Sequence, residues 1–173
     1  MEQQDPTPIV LDTSILLNFV KIGRVELLGQ LGTSVVLLDQ VFDEVRRPEQ
    51  RKVVKDAVAA GTLDLQSVRN PVEVALFTEL RAGGRLGAGE CAVLAVALTR
   101  DWVAGLQDRR ARTEGQRRRE NLVIRQTEDL VLTLIKASYL TIEEADGFLA
   151  EWAAKHRFRS KVTSFRDLNK SDF

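Results

Sequence analysis

Short apolar runs that predict strands alternate with helix-forming segments along this chain, and that alternation constrains its fold more than any other feature. The runs that predict strands are PIVLDTS, SVVLLD, LDLQSV, DWVAGLQ and LVIRQ. Between them apolar residues recur at helical spacing, as in ILLNFVKIG and LGAGECAVLAVALTR. Such alternation favours a parallel sheet with helices on both faces. We predict a three-layer α/β/α fold whose central, mainly parallel sheet has about four to five strands.

Length and composition indicate one domain. The chain has 173 residues, 44% of them hydrophobic and 29% charged, which is an ordinary globular composition and excludes a disordered chain. We expect a single domain, with a core at about 8–156 and a basic C-terminal tail at 157–173. The apolar runs are too short to span a bilayer, and the acidic start MEQQDPTP is unlike a signal peptide. We therefore expect a cytoplasmic protein that does not contact a membrane.

Charge is balanced overall but unevenly distributed. The chain has 25 basic and 25 acidic residues, so it lacks the global positive charge typical of nucleic-acid binding. Residues 100–125 nevertheless hold eight arginines against four acids, and residues 155–173 hold six Lys or Arg against two acids. Such segments are usually solvated faces, but beside an acidic site they would suit a polyanionic substrate.

The chain has one cysteine, Cys91, and one histidine, His156. Neither an internal disulfide nor a cysteine or histidine metal cluster can be built from them, and the apolar neighbours of Cys91 predict a buried residue. Any metal site must use oxygen ligands, which suit Mg²⁺ or Mn²⁺ and argue against zinc.

Four acids are placed to meet at one edge of the predicted sheet, where ligands bind in folds of this class. Asp12 and Asp108 follow predicted strands, Glu90 lies in the first turn of its helix, and Glu44 lies on the helix after the second strand. Each has a simpler explanation: the aspartates suit helix N-caps, Glu90 suits a helix dipole, and Glu44 could be a surface residue with Asp43 as a rival. Together, four converging carboxylates would repel unless divalent cations neutralised them.

The motifs IVLDTSILLNFV, VFDEVRR, LGAGECAVLAVAL and LQDRRAR, in this order and spacing, resemble the PIN-domain ribonucleases. They are most similar to the VapC-like toxins of bacterial type II toxin–antitoxin systems. The later segment VIRQTEDLVLTLIKASYLT resembles the end of that fold, so the resemblance covers the chain from about Pro8 to its last helix.

This resemblance implies a metal-dependent endonuclease that cuts single-stranded or structured RNA. Its acidic quartet would be Asp12, Glu44, Glu90 and Asp108, with Thr13 or Ser14 as a supporting hydroxyl. Asp12 and Asp108 would hold the main Mg²⁺ or Mn²⁺, Glu90 would complete its shell, and Glu44 would bind a second ion or its water. In such sites the metal lowers the pKa of a bound water that attacks the phosphorus, and a second ion about 3.5–4 Å away stabilises the leaving oxygen. Arginines that could position the phosphate backbone are Arg109, Arg112 and Arg117.

The sequence departs from the pattern of this family at Gln107, where many relatives have an acid before the aspartate. Leu106 is predicted to be buried in the sheet, and strand alternation then directs Gln107 to the other face and Asp108 to the strand end. If the first position were the essential ligand, the site would lose activity. A PIN-like module that binds RNA or a partner protein without cutting is therefore the alternative.

Two other motifs are rejected. GAGECA matches a dinucleotide-binding fingerprint, but the polar helix end TELRAGGR precedes it where a strand is required. The run DTS lacks the second aspartate of a haloacid dehalogenase, since Ser14 stands there.

The toxin resemblance also implies a cognate antitoxin that blocks the acidic site, and we expect a homodimer. The basic helix and the apolar helices near the start are candidate surfaces for both partners.

Overall fold

A five-stranded parallel sheet forms the centre of the protein, in a computed structural model that describes residues 6–168. The strand order is β3-β2-β1-β4-β5. The strands are β1 (Ile9–Leu11), β2 (Val35–Leu38), β3 (Asp64–Gln66), β4 (Val103–Gly105) and β5 (Ile124–Arg125). All neighbouring strands pair in parallel, so their carboxyl ends share one edge. The predicted α/β/α fold and its parallel sheet are confirmed.

The central strands form because their residues are apolar and mostly β-branched, which suits strands covered on both faces. Every residue of β1 and β2 is buried. Gly105 lets β4 approach β1 closely, because a Cβ there would lie 2.5 Å from Cδ2 of Leu11 and 3.2 Å from the Val10 carbonyl oxygen. The ends of β1 and β4 are thereby held side by side.

Helices alternate with these strands and cover the sheet. They are α1 (Thr13–Lys21), α2 (Asp39–Glu44), α3 (Pro48–Ala59), α4 (Pro71–Ala82), α5 (Ala88–Arg100), α6 (Arg109–Arg118), α7 (Thr127–Lys136), α8 (Ile142–Lys155) and α9 (Phe165–Leu168), with a 3-10 helix at Val25–Gln30. None of these helices combines the length and apolar composition needed to cross a lipid bilayer.

Helix α5 is the central helix of the fold. It contacts β1, β2 and β4 as well as α2, α4 and α6, and Cys91 lies fully buried within it, as predicted. It ends at Arg100, and the C-cap residue Asp101 has a left-handed φ of 59°. The following strand therefore begins at Val103, two residues later than the run DWVAGLQ suggested.

The segment after α8 packs back onto the protein. Phe165 is fully buried, and its amide donates to Asp146 Oδ1 at 2.8 Å. The ring of Phe158 meets Trp152 edge to face, with 5.5 Å between centroids. Residues 157–168 are thus part of the packed structure, while residues 169–173 of the predicted basic tail lie outside the described residues.

Candidate active site

Asp12 lies at the bottom of the candidate site. It follows β1 and caps α1, with 1% of its surface exposed. Its Oδ1 accepts from the Ile15 amide and its Oδ2 from the Gln107 amide, both at 2.8 Å. Because the second bond crosses from β1 to the end of β4, the sheet itself fixes the orientation of this carboxylate.

Glu44 reaches the site from the last residue of α2. Its Oε1 accepts from the Gly89 amide at 2.9 Å, and its Oε2 accepts from the Thr13 hydroxyl. Its rival Asp43 has a side chain 73% exposed and is paired with Arg51. The structure therefore brings Glu44, not Asp43, to the edge where Asp12 lies.

The first turn of α5 passes so close to Glu44 that a side chain at Gly89 would displace the Glu44 carboxylate. A Cβ on Gly89 would lie 2.8 Å from Glu44 Oε2 and 3.0 Å from Thr13 Oγ1. The small residues of GAGECA thus serve close packing beside the carboxylates.

Glu90 and Asp108 complete the group on the more solvent-accessible side. Glu90 is half-buried, and its Oε2 accepts from the Gly87 amide at 2.9 Å. Asp108 is exposed and caps α6, where its Oδ1 accepts from the amides of Arg110 and Ala111. The two readings of Asp108 are therefore compatible, because a capping aspartate keeps a second carboxylate oxygen for another ligand.

The four acids influence one another electrostatically. Burial raises the pKa of Asp12 to about 6, against the amide hydrogen bonds that lower it, and the charges of Glu90 and Glu44 add to the rise. Burial also raises the pKa of Glu90, and the charges of Asp108 and Glu44 contribute. Each acid is thus an electrostatic neighbour of at least one other.

The donor chemistry of this group fits a hard divalent cation. Carboxylates are the oxygen ligands that Mg²⁺ and Mn²⁺ prefer, and buried or half-buried carboxylates with raised pKa values gain from a nearby positive charge. Within residues 6–168, no three His, Cys, Asp or Glu side chains are arranged as a ligand set. The acids are instead held by backbone amides and by Thr13.

Gln107 is directed away from these acids. Its Oε1 accepts from the amide and the hydroxyl of Thr127, at 3.0 and 2.8 Å, and Leu106 before it is fully buried. The burial of Leu106 and the direction of Gln107 agree with the prediction, although β4 ends at Gly105 and residues 106–108 lie beyond the strand. Gln107 contacts the acidic group through its backbone amide, which donates to Asp12, and its side chain also lines the pocket beside Asp108.

A pocket of about 670 Å³ opens beside Asp108 and contains two of the predicted arginines. Arg109 and Arg112 line it together with Ser14, whereas Thr13 binds Glu44 instead. Arg117 lies elsewhere, in a second depression between α4 and α6, and its guanidinium pairs with Glu114 at 2.8 Å. The structure thus brings Arg109 and Arg112, but not Arg117, to the pocket beside Asp108.

Several residues of this region were not singled out from the sequence. Arg159 and Lys161 line the same pocket, yet they lie about 50 residues after Asp108 and in sequence are only part of a basic run. Asp39 also follows a strand, but it accepts a hydrogen bond from Ser67 beyond β3. A position after a strand therefore does not by itself place an acid in this group.

Comparison with known proteins gives one family and a distant structural likeness. Among solved structures, the chain is similar to one in the "Crystal structure of VapBC2 from Rickettsia felis bound to a DNA fragment from their promoter", with 15% identity, a TM-score of 0.45, and coverage of 69% of this chain and 98% of that one. No curated protein matches. The family model DUF3368, described as a PIN domain, matches residues 8–170. Because that match covers nearly the whole chain, the protein belongs to the PIN-domain family.

Proposed function

We propose that this protein is a divalent-metal-dependent endoribonuclease that hydrolyses RNA phosphodiester bonds. The observation that carries the proposal is the buried Asp12 at the carboxyl edge of the sheet, with Glu44 and Glu90 near enough for their charges to raise its pKa. Such a group of acids at the carboxyl edge of a parallel sheet is suited to cation binding, and PIN-domain membership supports a nuclease.

Asp12, Glu90 and Asp108 are the residues that would hold Mg²⁺ or Mn²⁺, and since no three acids of residues 6–168 form a ligand set as they stand, their side chains would have to turn toward the ion. When bound, the ion supplies Lewis-acid catalysis and an activated water. Glu44 is held by Thr13 and Gly89, and it would bind a second ion or orient a water. Ser14 faces the pocket beside Asp108, and the nearby arginines would position the phosphate backbone.

We expect Asp12→Asn to lower RNA cleavage at least about hundredfold, because it removes the charge at the centre of the acidic group. A hundredfold loss corresponds to about 2.7 kcal/mol of transition-state stabilisation. The assay follows cutting of mixed-sequence RNA in Mn²⁺ or Mg²⁺, with EDTA abolishing it. Glu90→Gln should have a similar effect.

Asp39→Asn is the matched control, since it makes the same change in another acid that follows a strand but is bound by Ser67. This variant should cut RNA at the same rate as the unsubstituted (parent) protein. Equal cutting by Asp12→Asn would contradict the proposal. RNA binding without cutting by the parent would favour the alternative, a binding module, although Gln107 is directed away from the acids.

We further propose, from the sequence resemblance, that the protein is the toxin of a toxin–antitoxin pair. Its expression should arrest growth, and co-expression of an adjacent reading frame should relieve the arrest. Size-exclusion chromatography of the co-purified pair would test both the antitoxin and the expected homodimer. Growth arrest relieved by no neighbouring frame would contradict the toxin assignment.

A further inference from the structure

The pocket beside Asp108 has basic side chains on two walls that come from distant parts of the chain. Helix α6 contributes Arg109 and Arg112, and the segment after α8 contributes Arg159 and Lys161. None of these four side chains forms an ion pair with an acid in the described part of the chain. By contrast, Arg118 and Arg119 of the same basic run are both paired.

Arg112 gives the sharpest indication that an anion binds here. Its Nε is inaccessible to solvent and has no hydrogen-bond partner among residues 6–168. A buried donor of this kind costs free energy unless an acceptor reaches it. Arg112 itself lines the pocket, and a turn of its side chain toward the pocket would let an oxygen of a bound anion supply that acceptor.

The opposite wall is held in place, although its two cations are exposed. Ser160, between Arg159 and Lys161, donates to Glu128 Oε1 at 2.6 Å, and its hydroxyl accepts from the Val162 amide at 3.0 Å. Phe165 fixes the segment a few residues later by its complete burial. The two basic side chains are therefore presented from an ordered backbone, which reduces the entropy lost on binding a ligand.

We propose that Arg112, Arg159 and Lys161 bind a phosphate of single-stranded RNA that flanks the one being cut, so that residues 157–168 form a wall of the substrate cleft. This inference rests on the proposed function. Asp108 lines the same pocket, so an RNA strand whose scissile phosphate lies at the acids would continue directly between these cations. The acids Glu128 and Asp129 also line the pocket, and both are hydrogen-bonded, to Ser160 and to the Gln126 amide respectively.

The test measures RNA binding rather than cutting. A fluorescent, mixed-sequence RNA of about 20 nucleotides is titrated in EDTA at several salt concentrations, since phosphate contacts do not depend on sequence. Arg159→Ala/Lys161→Ala should lower the slope of log affinity against log salt by about 1.4, or about 0.7 for each lost contact. Between about 50 and about 200 mM salt, the parent should therefore lose about sevenfold more affinity than the variant. Arg112→Gln should lower the slope by about 0.7.

Lys155→Ala/Arg166→Ala is the matched control. It removes the same charge from the same region, but these residues are exposed, pair with Glu151 and Glu143, and lie outside the pocket. Its slope should equal that of the parent. An equal loss in both double variants, or no loss in either, would overturn the inference.

Three further outcomes bear on this inference and on the proposed function. RNA binding with the expected slopes but no cutting in Mn²⁺ or Mg²⁺ supports the phosphate site and contradicts the nuclease. Stronger competition by polyglutamate than by RNA at equal charge assigns the pocket to an acidic peptide and overturns the inference. Absence of salt-dependent RNA binding by the parent overturns it as well.

Discussion

At the scale of single residues, Gln107 belongs to a chain of buried polar groups. The Thr127 hydroxyl donates to Gln107 Oε1 and accepts from Asn18 Nδ2 at 2.9 Å, while the Asn18 carbonyl oxygen accepts from Trp152 Nε1 at 2.8 Å. Thr127 is completely buried and Asn18 nearly so. Each of these groups therefore needs the next one as its hydrogen-bond partner, and this hydrogen-bond network links α1, α7 and α8 to the end of β4.

We expect Gln107→Ala to lower the free energy of unfolding by about 1–3 kcal/mol, because it leaves both donors of Thr127 without their acceptor. Urea denaturation measures the change. Gln107→Glu keeps an acceptor for Thr127, but it replaces the Nε2 donor to Glu128 with a second carboxylate oxygen and should also destabilise the fold. An unchanged midpoint and slope for Gln107→Ala would show that water replaces the side chain at Thr127.

At the scale of elements, the first turn of α5 determines where Glu44 lies. The amide of Gly89 binds one oxygen of Glu44, and the missing Cβ leaves room for the other oxygen and for Thr13. The N-terminal turn of a helix supplies free amides, and a glycine there allows a carboxylate from another helix to reach them. The positions of α2 and α5 are therefore coupled through this contact.

Gly89→Ala should lower cleavage about hundredfold, because the new Cβ would lie 2.8 Å from Glu44 Oε2 and displacement of a positioned group by about 1 Å costs about that factor. The matched control is Gly147→Ala in α8, where nothing lies within 4 Å of the new Cβ. That variant should keep full activity and gain about 0.5–1 kcal/mol of stability. Full activity of Gly89→Ala would show that Glu44 is not needed where it lies.

At the scale of the whole molecule, a buried ion pair connects the central helix to the edge of the sheet. Arg100 at the end of α5 donates to both oxygens of the fully buried Glu73 on α4, at 2.6 and 3.1 Å. It also donates to the side-chain oxygen of Gln66 in β3 at 2.5 Å. Burial alone would raise the pKa of Glu73, but the hydrogen bonds from Arg100 and from the Arg69 amide outweigh it and leave the pKa lowered.

Stability should accordingly fall in acid. A carboxyl whose pKa is lowered by folding contributes stability above its ordinary value of 4.5, and that contribution is lost as the pH falls through the folded pKa. Glu73→Gln should cost about 1–3 kcal/mol at neutral pH, and the difference from the parent should shrink below about pH 4.5. Urea unfolding of the parent protein and of Glu73→Gln, at pH values from neutral to below about 4.5, measures this difference in stability. A difference that does not change with pH would assign the effect to packing.

The sequence by itself determined the α/β order, the parallel sheet and the positions of Asp12 and Asp108 after strands. These are local properties, since apolar periodicity specifies an element and the end of a strand specifies an edge of the sheet. Glu90 in the first turn of α5 and the buried Cys91 follow from the same patterns. The direction of Gln107 agrees with the prediction, but Gln107 lies beyond the end of β4, and its contact with Thr127 holds it there.

Only the tertiary structure decided which distant side chains meet. It placed Glu44 rather than Asp43 beside Asp12, paired Glu73 with Arg100, and brought Arg159 and Lys161 to the pocket of Arg112. It also bound Asp39 to Ser67, although Asp39 follows a strand as Asp12 does. The physical reason is that such contacts depend on how helices rotate and pack on the sheet, and that is set by the sum of many weak burial terms rather than by a local pattern.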